Sequence, residues 1–206
     1  MNKPSRKTTG GAAYLDLQLM AKADGRATDE LLTLYALEGF LDRLSTAPQA
    51  TDLILKGGVL LAAYETRRAT RDVDLQATDL NNDANVVLAL ICDIAASDKD
   101  DGLFYDTSTA TAEVIRDEDE YSGIRVSLTC HLSRARIPFH VDVNVGDPIW
   151  PTPRPVEVPR LLGGSITVRG YPLSRVFAEK IVTAVQRGTV NTRWRDYADI
   201  ALLSAT

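Results

Sequence analysis

The residues of this chain best suited to chemistry are three aspartates and a pair of glycines. Asp72 and Asp74 stand two apart in Arg71-Asp72-Val73-Asp74-Leu75, where alternation of polar and apolar residues predicts a half-buried strand with both carboxylates on one face. Two such carboxylates repel each other, and a fold holds them side by side most readily around a divalent cation. Upstream, Gly57-Gly58 separates the apolar strand signal Leu53-Ile54-Leu55 from a helix-like run, Val59 to Tyr64. A strand-to-helix junction without side chains lets a phosphate approach backbone N–H groups. A third carboxylate, Asp142, belongs to a stretch that puts His140, Asp142 and Asn144 on one face and Phe139, Val141 and Val143 on the other. Two strands, three carboxylates and a glycine turn fit two-metal phosphoryl or nucleotidyl transfer.

Taken singly, each piece has a plainer reading. A D-x-D pair is often a solvated strand edge, a glycine pair is often a turn or cap, and Asp142 could pair with His140 or an arginine. The combination carries the weight: the glycine turn, a short helix, the basic loop Thr66-Arg67-Arg68-Ala69-Thr70-Arg71, then the aspartates. The interval from Gly58 to Asp72 holds about two and a half helical turns and a return loop. His131 and His140 offer no competing engine, because no Ser-His-Asp or Cys-His set assembles around them.

The elements that must position these residues follow from periodicity. Helical apolar spacing covers Ala12–Ala23 and Asp29–Ser45, where Leu31, Leu32, Tyr35, Ala36, Phe40 and Leu41 mark one buried face. Ala84–Ala96 reads as a helix, followed by an acidic loop at Ser97–Gly102. Ala112–Ile115, Gly123–Cys130 and Pro138–Val145 read as strands of a meander beside the Asp72 strand. The first ten or so residues, polar and ending in glycine, are expected to be mobile. Five prolines in residues 146–160 predict a connector without regular structure, with Trp150 packed among them. Tyr171-Pro172 marks a helix start, Gly188 its end, and a last helix covers Arg193–Ser204. The expected fold is α+β: a mixed sheet with flanking helices over residues 1–150, and a C-terminal helical lobe over 151–206 that completes the same compact unit.

The 206 residues suffice for one domain or two small lobes, and 45% hydrophobic with 25% charged residues excludes wholesale disorder. No apolar run approaches the ~20 residues that cross a bilayer. The opening MNKPSRKTTGG lacks the apolar stretch of a secretory signal, and two cysteines, Cys92 and Cys130, suit a reducing cytoplasm. A net charge of −5 argues at first against a nucleic-acid partner, but it is an average: net 0 over residues 1–78, −10 over 79–122 and +5 over 123–206. Ten of the 11 cations in the last segment are arginines, whose planar fork suits phosphate oxygens. Arg134, Arg136, Arg169, Arg187, Arg193 and Arg195 are the candidates for backbone contacts, and Trp194 for base stacking or helix packing.

Gly57-Gly58 … Asp72-Val73-Asp74 resembles the signature of the DNA polymerase beta-like nucleotidyltransferase superfamily. More narrowly, Lys56-Gly57-Gly58 … Thr70-Arg71-Asp72-Val73-Asp74-Leu75 is similar to the AbiEii group, which includes the mycobacterial MenT toxins. The likeness continues through Tyr121–Val126, Val141–Asp147, Tyr171-Pro172, Ala178-Glu179-Lys180 and Asn191–Asp199. It implies the nucleotidyltransferase fold, with Asp72, Asp74 and Asp142 at Mg²⁺ and Lys56, Gly57, Gly58, Thr70 and Arg71 around a nucleoside triphosphate. Lys180 matches an essential lysine of the group and Asp196 its late essential aspartate, with Asp199 as second choice. Arg195 stands where lysine is expected, and Asn144 where relatives have glycine. The resemblance further implies a toxin that moves a nucleotide from NTP, CTP or UTP favoured, onto the 3′ acceptor end of tRNA, countered by a cognate antitoxin. Transfer to a small molecule or a protein, or a silent nucleotide- or RNA-binding module, are the alternatives.

Overall fold

The computed structural model describes residues 3–64, 69–116, 122–146, 149–187 and 194–204. Two helices, α1 (Thr9–Ala23) and α2 (Thr28–Ser45), lead into β1 (Leu53–Lys56), the short helix α3 (Gly57–Leu60) with a 3₁₀ turn at Leu61–Tyr64, and β2 (Asp72–Ala77). Helix α4 (Ala84–Ala95) precedes the meander β3 (Leu103–Arg116), β4 (Ser122–Leu132) and β5 (Ala135–Val145). The hairpin β6 (Arg154–Pro159) and β7 (Ser165–Gly170) and the helices α5 (Leu173–Arg187) and α6 (Trp194–Leu203) complete the chain.

The seven strands of the described residues form one mixed sheet in the order β3-β4-β5-β2-β1-β7-β6. β2 runs antiparallel to β1 and parallel to β5, and β1 is parallel to β7. One face is apolar, as alternation demands: Val73 and Leu75 of β2, Val126 and Leu128 of β4, and Phe139, Val141 and Val143 of β5 are buried beneath α2 and α4. Phe40, Tyr105 and Phe139 meet there with ring centroids 5.2 to 6.4 Å apart. Beside them Arg43 and Asp101 form a buried ion pair at 2.6 Å that ties α2 to the loop before β3. Among the described residues, no helix is long and apolar enough to cross a membrane.

The structure corrects three expectations. Helix α1 begins at Thr9, within the stretch expected to be mobile, and Thr8 caps it by accepting from Gly11 N at 3.1 Å. The glycines there permit close contact, since a Cβ on Gly10 would lie 3.0 Å from the Gly102 carbonyl. Second, the proline-rich stretch contains β6. Prolines fit because β6 is an edge strand, with Pro155 and Pro159 exposed while Val156 and Val158 turn inward. The sheet therefore draws two strands from residues after 150, and helix returns only at Leu173. Third, Trp150 does not pack among the prolines but stands 79% exposed, because the valines of β6 supply the inward groups.

Candidate active site

Strand register turns the polar face of the sheet into a grid. Residues directly opposite across a ladder share a face, so Lys56, Asp74, Asp142, Arg125 and Glu113 form one row running from β1 to β3. The neighbouring row holds Asp72, His140, Ser127 and Thr111. Parallel pairing of β2 with β5 is what sets Asp142 beside Asp74, and the three aspartates each offer an oxygen within 4.8 Å of the others. The expected face of β5, with His140, Asp142 and Asn144 together, is the observed one.

The glycine turn is fitted to Asp74. Gly57 adopts φ +65°, and a Cβ there would lie 1.8 Å from Asp74 Oδ2. The Gly58 N–H donates to the Asp74 carboxylate. Burial, then the charges of Asp72 and Asp142, push the Asp74 carboxyl up to about 7, against the pull of Lys56 and the Gly58 N–H. Thr70, buried, donates its hydroxyl to Asp72 Oδ1 at 3.2 Å, while Arg71 is exposed. Three carboxylates brought this close, one of them pushed up by burial and by the other two, make a set of hard oxygen donors that fits a divalent cation such as Mg²⁺.

Arg125 is the site residue that sequence reasoning missed. Its Nε and Nη2 donate to the two oxygens of Asp142 at 2.7 and 2.6 Å, and Nη2 lies 3.8 Å from Asp72 Oδ2. The Asp142 fork raises the already high pKa of this guanidinium further, burial acting against it. The arginine partner left open for Asp142 is thus the one that exists. Each carboxylate oxygen keeps another lone pair, so Asp142 stays part of the cluster while Arg125 offsets one of its charges. The available signal was parity, since Arg125, Ser127 and Thr129 alternate with Ile124, Val126, Leu128 and Cys130. Gln76 is a second such residue: it lies on the Asp72 and Asp74 face, fully buried, with neither amide atom paired among the described residues.

Lys180 of α5 places Nζ 2.6 Å from Oδ2 of Asp199 on α6, a contact 13% and 1% exposed on its two sides. The structure therefore joins Lys180 to the second-choice aspartate. Asp196 lies on α6, but its side chain is outside the described residues, as are those of Arg187, Trp194 and Arg195 and the whole of Arg193 and Gly188. Helix α5 starts beside the glycine turn, because Tyr171 N donates to Leu55 O and Tyr64 Oη donates to Tyr171 O at 2.6 Å. Of the other arginines, Arg134 lies over the Tyr14 ring and Arg169 donates to Thr51 O at 3.0 Å. Arg136 is exposed and has no ion-pair partner among the described residues.

A mixed sheet carrying adjacent carboxylates after a glycine turn defines the nucleotidyltransferase class. The solved structures agree on the fold: JHP933 from Helicobacter pylori superposes with a TM-score of 0.58 at 15% identity, covering 87% of this chain and 67% of that one. A second H. pylori crystal structure, assigned as a nucleotidyltransferase, gives 0.58 and 15% over 87% of this chain and 69% of its own. No curated protein matches the sequence. Residues 39–206 match the family described as nucleotidyl transferase AbiEii toxin, type IV TA system, and the chain belongs to that family. It is a nucleotidyltransferase of a toxin–antitoxin system, for which an antitoxin is the implied partner.

Proposed function

We propose that this enzyme transfers a nucleoside monophosphate from NTP, with CTP or UTP favoured, to the 3′ acceptor end of tRNA in the cytoplasm, blocking aminoacylation and growth until a cognate antitoxin intervenes. The observation that carries the chemistry is the row of Asp74, Asp142 and Arg125 beside Asp72, with the glycine turn packed directly against Asp74. Mg²⁺ held by Asp72 and Asp74, with Asp142 alongside, supplies charge neutralisation at the triphosphate. Thr70 and Arg125 hold the aspartates in position, and Lys56 stands opposite Asp74 to balance charge. The terminal ribose hydroxyl forms a bond to the α-phosphorus as the α–β anhydride breaks, pyrophosphate leaves, and the hydroxyl proton passes to a carboxylate of the cluster. Lys180 offsets charge on the departing pyrophosphate, with Asp199 or Asp196 orienting its ammonium group.

The test is incubation of the protein with Mg²⁺, each labelled NTP in turn and total tRNA. Label entering RNA with CTP or UTP is expected, and Asp72→Ala abolishes it. No label in RNA with any of the four NTPs, from folded protein, refutes the tRNA reading. Label running with protein or a small molecule reassigns the acceptor.

A further inference from the structure

Beyond the aspartates, the polar face of the β3–β4–β5 wing continues as a groove of about 360 Å³ lined by Thr109, Thr111, Ser127, Thr129, Arg136 and Pro138. We propose that this groove is the track for the unpaired 3′ strand of the acceptor RNA, an inference that rests on the reading of the chain as an RNA nucleotidyltransferase.

Three observations carry it. The first is continuity. The row of Asp72 passes through His140 and Ser127, joined by a 2.9 Å hydrogen bond, to Thr111. The next row holds Pro138 and Thr129, and the last holds Arg136, His131 and Phe104. From His140 to Arg136 is four residues of β5, or about 14 Å at ~3.4 Å each. Stacked nucleotides rise by a similar ~3.4 Å, so the track has room for about four.

The second is the chemistry of the far end. Phe104 is 63% exposed on the sheet, and its ring lies 6.1 Å from that of His131. An aromatic standing alone among polar strand residues is poor material for a protein interface, which gathers apolar side chains into a core. It is the device by which sheets stack unpaired bases. Arg136, next to His131 and without an ion-pair partner among the described residues, has its fork available to a phosphate, and the groove hydroxyls suit ribose and phosphate oxygens.

The third is that, among the described residues, the two long helices against the sheet do not pack on this face. Helices α2 and α4 lie over the apolar face instead. Asp106, the carboxylate of the Thr129 row, is turned onto Ser108, accepting from its N–H at 3.2 Å and its hydroxyl at 2.5 Å.

The test uses the full chain and a fluorescein-labelled six-nucleotide RNA with a free 3′ hydroxyl, followed by anisotropy without Mg²⁺ so that binding is read apart from transfer. Phe104→Ala and Arg136→Ala alter exposed side chains, and unchanged melting midpoints establish that both variants fold. Each weakens RNA binding by roughly tenfold, and Arg136→Ala also lowers the slope of log affinity against log salt by about one. In the transfer assay both raise the KM for tRNA and leave the KM for NTP in place, while Lys22→Ala on α1 changes neither. No binding by the wild type, or equal binding by wild type and both variants, overturns the proposal. Binding that depends on Phe104 in a protein that labels no tRNA supports the track and refutes the transfer reading. Labelling with an unaltered tRNA KM in both variants overturns the track and leaves the transfer reading standing.

Discussion

Replacing Asp74 by Asn should make the metal-free protein more stable at neutral pH and inactive at every pH. The wild-type carboxyl is raised from the ordinary 3.8 to about 7 by burial and by Asp72 and Asp142. At about 1.36 kcal/mol for each pH unit, that displacement amounts to about 4 kcal/mol of strain when Asp74 is ionised, taken as a ceiling. The sign follows from proton linkage. Between pH ~4 and ~7 the folded protein keeps a proton that the unfolded chain releases, so wild-type stability falls as pH rises through that window and levels off above it. Asn has nearly the same shape, still accepts from Gly58 N–H, and carries no charge, so the decline disappears. Urea unfolding in EDTA, followed by circular dichroism from pH 4.5 to 8.5, reads this directly. The variant should match the wild type at the acid end and exceed it progressively toward pH 8, and added Mg²⁺ should stabilise only the wild type there. Stability curves that stay parallel across the whole range would refute the claim that Asp74 is held against its own charge.

Other consequences follow from single contacts. Gly57→Ala sets a methyl group 1.8 Å from Asp74 Oδ2 at a positive φ, so transfer should be lost along with about 1–3 kcal/mol of stability, measured by activity and unfolding midpoint. Gln76→Leu removes a fully buried amide, unpaired among the described residues, and should raise stability by about 1–3 kcal/mol in denaturant unfolding. Asp101→Ala strands the buried Arg43 guanidinium and should cost about 3–5 kcal/mol, with the KM for NTP unchanged because neither residue belongs to the site. Arg125→Gln should lower transfer and leave Asp142 without its fork. Adding Asp142→Asn should restore the unfolding midpoint without restoring activity.

Much of the site was legible because strand alternation constrains side chains two at a time. Asp72 with Asp74, and His140 with Asp142 and Asn144, share faces for reasons internal to each strand. The glycine turn was legible as a strand-to-helix junction, but that its missing side chain makes way for Asp74 at φ +65° is a fact of the structure. Arg125 escaped because, although the meander was expected, its role depends on the register that sets it opposite Asp142, which periodicity does not contain. The edge strand β6 escaped for a related reason: prolines read as breakers until it is known that one side of the strand has no partner to lose. That Lys180 meets Asp199 depends on how α6 packs against α5, while the side chain of Asp196 lies outside the described residues.

What the sequence by itself determined is the chemistry within reach: two carboxylates on one strand, a glycine pair at a strand-to-helix junction, and a net charge of −5 that conceals a basic final third. These are local properties, set by the spacing of residues along one element. The tertiary structure alone decided that Asp142 stands beside Asp74, that Arg125 clasps it, and that Phe104, His131 and Arg136 line up with the aspartates on one face. Those residues are far apart in the chain, and only the order and register of the strands bring their side chains to neighbouring points of the same grid.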